Sequence, residues 1–321
     1  MVNKMSDRNL TISVIVCTYN RAQILRDSLE SFAGMRGSDQ PNVELLIIDN
    51  NSTDATRRVS DEYCSQHPNA RYALASQPGL SNARNKGVTE ARGRIIAYVD
   101  DDVLFDPGWL EAVIDIFEKH PDASCMGGKS IPKFDAGRPD WACGEVLSIY
   151  GSTQSGDSVK WMTYPEHPFG LNMAFRRDVF SQVGEFNPRL GRKKKNLLSM
   201  EESDYFYRVA KAGLKVIYTP SAVLFHRIPQ SRTSEQWALA RYYWQGISAV
   251  AFKQIHQPLT RPQLLRELWR TSREILRLCT GGKILPREVY WHHVKRPMKS
   301  KIQLATAIGR IRGLLTEMFS F

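Results

Sequence analysis

Three adjacent aspartates, Asp100, Asp101 and Asp102, have the clearest chemical meaning in this sequence. They follow a short apolar run, Ile95–Val99, that is typical of a buried strand. Adjacent carboxylates resist ionising together, and a cation that prefers oxygen ligands, such as Mg²⁺ or Mn²⁺, relieves the repulsion. Because such a cation completes its shell with water and substrate phosphates, the triplet predicts a metal site for a phosphorylated ligand. The alternative is a solvated acidic turn that leads to Pro107.

A second acidic group and a histidine lie later in the chain. Glu201 and Glu202 begin a helical pattern that continues through Arg208, and a carboxylate there could accept the proton of a substrate hydroxyl. Ser199 precedes Glu202 by three residues, which is the spacing of a helix capping box, so a purely structural role for Glu202 is the alternative. His226 ends an apolar run and is either a metal ligand or a structural histidine.

Alternating apolar runs and helical patterns predict βαβ units in the first hundred residues. The apolar runs are rich in Val and Ile, as strands buried on both faces of a parallel sheet are. Strands are predicted at Ile12–Cys17, Val43–Ile48 and Ile95–Val99, and helices at Arg21–Phe32, Asp54–Cys64 and Ser81–Arg92. Ligands bind beyond the carboxyl ends of such strands, so the polar residues that follow each strand are expected to share one edge.

The first strand is not followed by a dinucleotide-binding glycine fingerprint or by a P-loop. An NAD-binding Rossmann domain and a P-loop NTPase are therefore disfavoured. A nucleotidyltransferase also pairs carboxylates with a metal, but the chain lacks an early glycine-rich loop that carries Arg or Lys.

A series of motifs between about residues 11 and 228 resembles the motifs of family 2 glycosyltransferases, in the same order. They are Ser13–Arg21, Ile47–Asp54, Gln77–Gly87, Ile95–Asp102, Pro168–Arg177, Gly184–Phe186 and Glu201–Asp204. The resemblance implies an α/β fold of the GT-A type, with a Rossmann-like mixed sheet flanked by helices. It also implies an inverting, metal-dependent, hexosyltransferase-like enzyme. Its donor would be a nucleoside diphosphate sugar and its acceptor a hydroxyl of a glycan or lipid-linked glycan, as in polysaccharide biosynthesis.

The matching residues of the first two motifs are implied to bind the nucleoside. Thr18, Tyr19, Arg21, Asp49 and Ser52 would cradle the base and ribose. Asp49 would accept a hydrogen bond from a ring N–H, most simply that of uracil, so the implied donor is UDP-linked. The alternative for Asp49 is an ordinary turn that ends a strand.

The later motifs are implied to bind the diphosphate and the metal. Arg84 would reach the nucleotide or its diphosphate, although a solvated helix charge is the alternative. In the family's DXD motif, Asp100 would lie near the ribose, Asp101 would assist, and Asp102 would ligate Mn²⁺ or Mg²⁺. His226 would complete the metal shell or contact the diphosphate.

On the acceptor side, Glu202 is implied to be the catalytic base. Glu201 and Asp204 would orient the acceptor, and Asn172 belongs to an acceptor-side motif that is implied to bind substrate. The basic run at 192–195 could close over the diphosphate, and a solvated loop is the alternative.

The net charge of +11 at pH 7 comes entirely from the end of the chain. Residues 1–228 carry 28 basic and 28 acidic side chains, whereas residues 229–321 carry 16 and 5. We therefore predict a catalytic domain at 9–228 and a helical, basic C-terminal region at 229–321, and no specific binding of nucleic acid. The last helical pattern is amphipathic, with apolar residues at Leu304, Ile308, Ile311, Leu315 and Met318.

The pattern does not determine what the apolar face of this helix contacts. It could lie on an anionic membrane or pack on the catalytic domain or a partner subunit. A non-catalytic basic scaffold that binds membrane or nucleic acid through this tail is the alternative outside the enzymes.

The sequence also bears on location. Its apolar stretches are shorter than the roughly 20 residues that span a bilayer, and Met1–Leu10 lacks an apolar signal core. The five cysteines form no CxxC pair, so reduced thiols are expected. These features predict a cytoplasmic protein that is at most peripheral to the inner face of the cell membrane.

Overall fold

The chain forms two compact units in a computed structural model that describes residues 10–193, 196–280 and 297–319. Of the described residues, unit 1 contains those up to Gly137, Ala142–Pro188 and Glu201–Pro229. Unit 2 contains the described residues of Arg138–Trp141 and Arg189–Met200 and those from Gln230 onward.

A mixed sheet forms the centre of unit 1. Its nine strands among the described residues are β1 (Ile12–Thr18), β2 (Val43–Asp49), β3 (Ala70–Leu74), β4 (Ile95–Asp100), β5 (Val103–Phe105), β6 (Cys125–Phe134), β7 (Lys160–Met162), β8 (Asn172–Arg176) and β9 (Val216–Ile228). Eight of them lie in the order β3-β2-β1-β4-β8-β6-β9-β5, and β7 pairs with β9. β8 runs antiparallel to both β4 and β6, which makes the sheet mixed, as the resemblance implied.

The carboxyl ends of three neighbouring parallel strands form one edge. β1 pairs in parallel with β2 and β4, so that Thr18 lies opposite Asp49 and Cys17 lies opposite Asp100. Each predicted strand continues one residue past its apolar run, to Thr18, Asp49 and Asp100 respectively. The expectation that the polar residues after these strands share an edge is confirmed.

Helices cover both faces of this sheet. They are α1 (Ala22–Ala33), α2 (Thr56–Gln66), α3 (Leu80–Glu90), α4 (Trp109–Lys119), α5 (Asp178–Val183) and α6 (Glu201–Lys211). Because successive side chains of a strand point to opposite faces, Val14 and Val16 pack with α1, α2 and α4, whereas Ile15 packs with α3, α5 and α6. The apolar runs are continuous because both faces are buried.

Where the structure describes unit 2, it contains three long helices: α7 (Glu235–His256), α8 (Arg261–Thr280) and α9 (Met298–Phe319). The predicted helical C-terminal region is therefore confirmed. α9 packs against α7 and α8. Glycine is required at the crossing, because a Cβ at Gly309 would collide with the backbone of Tyr243. Within the part of the chain that the structure describes, none of the helices is both long and apolar enough to cross a membrane.

Candidate functional site

The acidic triplet lies at the end of β4, where Arg21 neutralises two of its members. Arg21 Nη1 donates to Asp101 Oδ1 at 2.6 Å and to Asp102 Oδ2 at 2.8 Å. Thr18 Oγ1 donates to the other oxygen of Asp101 at 2.8 Å. Both carboxylates are buried, and the charge of Asp101 holds the pKa of Arg21 above its ordinary value even though burial acts in the opposite direction. The sequence did not reveal this role for Arg21.

His226 meets Asp102 from the neighbouring strand β9. Its Nε2 lies 3.2 Å from Asp102 Oδ1, and its Nδ1 lies 2.7 Å from the carbonyl oxygen of Tyr150. A carbonyl only accepts hydrogen bonds, so Nδ1 carries the proton in the neutral ring and Nε2 turns a lone pair toward the carboxylate. Burial lowers the pKa of His226, but the charge of Asp102 outweighs it and the pKa is raised.

Asp102 and His226 fit a divalent cation. Two acceptor atoms 3.2 Å apart repel each other unless a proton or a cation compensates them. Mg²⁺ and Mn²⁺ accept carboxylate oxygens, and imidazole nitrogen suits transition metals. Among the described residues, no cluster of three or more His, Cys, Asp or Glu side chains could hold a metal. A cation at this point would therefore take the rest of its ligands from water and substrate phosphates.

The predicted nucleoside-binding residues lie in the loops that follow β1 and β2. Asp49 Oδ1 accepts from the backbone N–H of Ser52 at 2.9 Å, and its Oδ2 accepts from the Tyr72 hydroxyl at 3.0 Å. Each carboxylate oxygen keeps a second lone pair for a ligand. Hydrogen bonds from protein groups thus hold the Asp49 carboxylate in this turn.

Asn20 connects the two loops, which the sequence analysis missed. Its side-chain oxygen accepts from the N–H of Thr53 at 2.7 Å, and its own N–H donates to Ser52 Oγ at 2.9 Å. Its φ of 52° lies in the left-handed region, which asparagine tolerates better than most residues. This link fixes the segment that carries Tyr19, a partly exposed side chain beside the edge.

Arg84 connects the sheet edge to helix α6 and is only 3% exposed. It pairs with Glu201 Oε1 at 3.0 Å and donates to the carbonyl oxygen of Gly170 at 3.4 Å. Burial lowers the pKa of Arg84. The negative charges of Glu201, Asp100 and Glu202 outweigh that effect, so the pKa is raised. A Cβ at Gly170 would collide with Arg84 Nη2, so any larger residue there would displace the guanidinium from its present position. The alternative of a solvated helix charge is wrong for Arg84.

Glu201 and Glu202 are adjacent at the start of α6, and the charges of both act on Arg84. Burial, and then the charge of Glu202, raise the pKa of Glu201 to about 7, while Arg84 opposes the shift. Within the described residues, Oε2 of Glu201 and Oε2 of Glu202 are buried without a hydrogen-bond donor. A pair of this kind can take up a proton, which is what a general base must do.

The capping alternative for Glu202 does not match the start of this helix. α6 begins at Glu201, so Ser199 is not the residue that directly precedes it. The backbone N–H of Ser199 donates to Ser248 Oγ at 3.0 Å, and its hydroxyl lies 3.4 Å from the same oxygen.

Asn172 and Asp204 are bound by protein groups. Asn172 accepts from Trp109 Nε1 at 3.0 Å and donates to two backbone carbonyls. Asp204 pairs with Arg208 at 2.8 Å and is 1% exposed. These contacts position β8 and α6. The substrate roles predicted for both residues stay predictions.

His167 was also missed by the sequence analysis. Its Nδ1 lies 2.9 Å from the Pro168 carbonyl oxygen and therefore donates, which leaves Nε2 to accept from Ser203 Oγ at 2.9 Å. The bond ties the segment before β8 to α6, next to Glu202. Of the basic run at 192–195, Lys194 and Lys195 lie outside the described residues.

A GT-A fold with acidic residues at the carboxyl edge of its sheet defines the class, a glycosyltransferase. Residues 13–184 match the sequence model of glycosyl transferase family 2, which is more than half of the chain. The chain belongs to that family.

Several known proteins are similar to this chain. A glucosyl-dolichyl phosphate glucuronosyltransferase of Haloferax volcanii is 29% identical over 242 residues, covering 74% of this chain and 76% of that protein. The succinoglycan biosynthesis protein ExoM of Rhizobium meliloti is 24% identical over 256 residues, covering 75% of each. The structure of a mannosyltransferase of Pyrobaculum calidifontis with GDP-Man and Mn²⁺ has a TM-score of 0.65 at 18% identity, covering 95% of this chain and 87% of that one. The last comparison supports the GT-A fold.

Proposed function

We propose that this enzyme transfers a sugar from a UDP-sugar to a hydroxyl group of a glycan or lipid-linked glycan, with inversion and with a divalent metal. The observation that carries the proposal is the position of Arg84. Its buried guanidinium interacts with Asp100 at the sheet edge and with Glu201 and Glu202 at the start of α6. These interactions support assigning the predicted donor-binding residues and the candidate base to one site.

Asp102 and His226 would hold Mn²⁺ or Mg²⁺ there. When bound, the cation supplies positive charge that stabilises the departing nucleoside diphosphate. Arg21 contributes in the same direction, because it neutralises the charge on Asp101 and Asp102 and keeps the edge from repelling an anionic donor.

Glu202 is the proposed base. It would take the proton of the acceptor hydroxyl while the acceptor oxygen bonds to the anomeric carbon and the bond from that carbon to the diphosphate breaks. A single displacement inverts the configuration and forms no covalent sugar–enzyme intermediate. Glu201, with its raised pKa, takes a proton near neutral pH, and this removes one of two adjacent negative charges.

Separate observations support the identity of the donor base and of the acceptor. Asp49 supports uracil as the base of the donor, because its carboxylate lies at the carboxyl edge of the sheet and can accept a hydrogen bond from a ring N–H. A lipid-linked or polysaccharide acceptor is supported by the names of the two relatives, one a glucosyl-dolichyl phosphate glucuronosyltransferase and one a succinoglycan biosynthesis protein.

A thermal-shift screen of UDP-, GDP- and TDP-sugars, each with and without Mn²⁺, tests the donor and the metal. A ligand present at 100 times its Kd stabilises the native state by about 2.7 kcal/mol. We expect a shift with a UDP-sugar that needs Mn²⁺ and is lost in Asp102→Asn. A shift with GDP- or TDP-sugars alone would contradict the uracil assignment. Binding of anionic polymers without binding of any nucleotide sugar would favour the scaffold alternative.

A further inference from the structure

Helix α8 exposes an apolar stripe. Leu265, Trp269 and Leu276 are 56%, 61% and 63% exposed, and their spacing of four and seven residues places them on one side of the helix. On another side of the same helix, Leu264 and Thr271 are buried within unit 2. The exposed stripe is therefore separate from the face of α8 that is buried within unit 2.

A row of arginines runs beside this stripe. Arg266, Arg270, Arg273 and Arg277 are all exposed, and each follows a stripe position or an exposed serine by one residue. The guanidinium of Arg273 lies 4.6 Å from the ring centre of Trp269. We call Leu265, Trp269, Leu276 and these four arginines the α8 surface.

The acidic residues of α8 do not neutralise this row. Glu267 pairs with Lys253 of α7 at 3.1 Å, and Glu274 pairs with Arg310 of α9 at 2.6 Å. No carboxylate of residues 10–193, 196–280 or 297–319 forms an ion pair with Arg266, Arg270 or Arg277. The α8 surface therefore keeps its positive charge together with its exposed indole.

We propose that the α8 surface binds to an anionic lipid bilayer. An interfacial helix inserts apolar side chains between the headgroups and pairs its basic side chains with anionic lipids. Tryptophan and arginine suit that boundary, because each has an apolar body and a polar end. A second copy of the chain fits less well, since two arginine rows brought together would repel.

For α9 the sequence left open a membrane contact or packing against protein, and we assign the membrane contact to α8 instead. Within the stripe predicted on α9, Ile308 is 44% exposed, whereas Leu304, Ile311, Leu315 and Met318 are partly buried. Gly309 and Gly313 approach α7 closely. The apolar pattern of α9 therefore serves packing inside unit 2. The inference about α8 is independent of the proposed glycosyl transfer.

Co-sedimentation of the full chain with vesicles tests the proposal, and it needs neither donor nor metal. We expect binding to phosphatidylcholine vesicles that contain about one third phosphatidylglycerol, weakening as salt is raised, and little binding to phosphatidylcholine alone. Replacing Arg266 and Arg270 by Ser should weaken binding roughly 30-fold, at about fivefold for each arginine near the surface. The matched control replaces Arg58 and Lys119 by Ser, which removes the same charge from exposed positions of unit 1.

A second variant tests the apolar stripe. Trp269→Ser should lose most binding, whereas Trp161→Ser, at a 45% exposed position of unit 1, should keep it. Circular dichroism and a thermal melt like that of the unaltered chain show that each variant is folded. Equal binding by the α8 variants and their controls, or no binding by the unaltered chain, would overturn the proposal. A dimer that Trp269→Ser converts to a monomer, without vesicle binding, would also overturn it and assign the surface to a second copy.

Discussion

Two acidic clusters in unit 1 differ in how their charge is compensated. Asp101 and Asp102, at the sheet edge, both pair with Arg21, and Asp101 also accepts a hydrogen bond from the Thr18 hydroxyl. Glu201 and Glu202, at the start of α6, have only Arg84 in common, and one oxygen of each is buried without a donor among the described residues.

The difference separates two kinds of chemistry. At the sheet edge burial raises the pKa of Asp101, and Arg21 and the Thr18 hydroxyl oppose that shift, which favours the ionised form that a metal needs. A buried carboxylate with too few donors is instead stabilised by a proton. Glu201 is such a carboxylate, because burial and the neighbouring charge of Glu202 raise its pKa to about 7. The edge cluster is thus suited to hold positive charge, and the helix cluster to take up a proton.

The largest effect should come from removing the base. Glu202→Gln is expected to lower kcat about a thousandfold, within the range that general base catalysis contributes, and to leave the Kd for the donor unchanged. Transfer rates and donor titrations measure the two quantities. Glu111→Gln, at an exposed site paired with Arg36, should behave like the unaltered enzyme. A Glu202→Gln variant with near-normal turnover would remove Glu202 as the base.

The second-largest effect should come from removing Asp102, the proposed metal ligand of the edge cluster. Asp102→Asn is expected to weaken Mn²⁺ binding by about 100-fold, because an amide oxygen carries no charge for the cation. Titration of Mn²⁺ in the presence of a nucleoside diphosphate measures it. Asp157→Asn, at a position 86% exposed, is the control. An unchanged titration in Asp102→Asn would show that the cation binds elsewhere.

The stability of the protein should also depend on Arg21, whose guanidinium pairs with both carboxylates of the edge cluster. Arg21→Met leaves two buried carboxylates without their guanidinium. Because Arg21 is 26% exposed, the discounted loss in free energy of unfolding is about 2 kcal/mol with a chelator present. Added Mn²⁺ should restore more stability to this variant than to the unaltered protein.

Thermal melts with and without Mn²⁺ measure that contrast. Arg26→Met, in the half-exposed pair with Glu62, should lose under about 1 kcal/mol and respond normally to Mn²⁺. If Arg21→Met and Arg26→Met melt alike, Arg21 does not stabilise the carboxylates.

The helix cluster should make stability depend on pH. The folded state holds a proton on Glu201 up to about pH 7, whereas the unfolded state releases it near the ordinary pKa of 4.5. The folded state therefore binds more protons in this window, so the contribution of Glu201 to stability falls as pH rises from about 4.5 to about 7. Glu201→Gln should flatten that part of the stability curve. The exposed Glu145→Gln should not change it, and equal slopes in both variants would contradict the shift.

The sequence indicated much of the donor edge. Strands buried on both faces must be continuously apolar, so β1, β2 and β4 were visible as runs of Val and Ile, and the polar residues after them fell on one edge. Strands β5 to β8 were not defined in this way, since their segments are short or interrupted by Gly and Pro.

The contacts that define the site were beyond sequence reasoning. Arg84 and Glu201 are 117 residues apart in the chain, and His226 reaches Asp102 only because β9 pairs with β5 next to the acidic triplet. The same limit applies to unit 2. Both α8 and α9 have apolar patterns, and only packing shows which of them remains exposed.

The sequence by itself indicated the family, the parallel strands β1, β2 and β4 and the edge that carries the candidate donor site, because periodicity and local motifs follow from short-range chemistry. Tertiary structure decided which charges meet: Arg21 with Asp101 and Asp102, and Arg84 with Glu201. Burial then fixed how strongly those charges act on each other, since the free energy of a carboxylate depends on its partners and its exposure to water. The tertiary structure also decided that the exposed basic surface lies on α8, because a side chain is exposed only where no other element covers it.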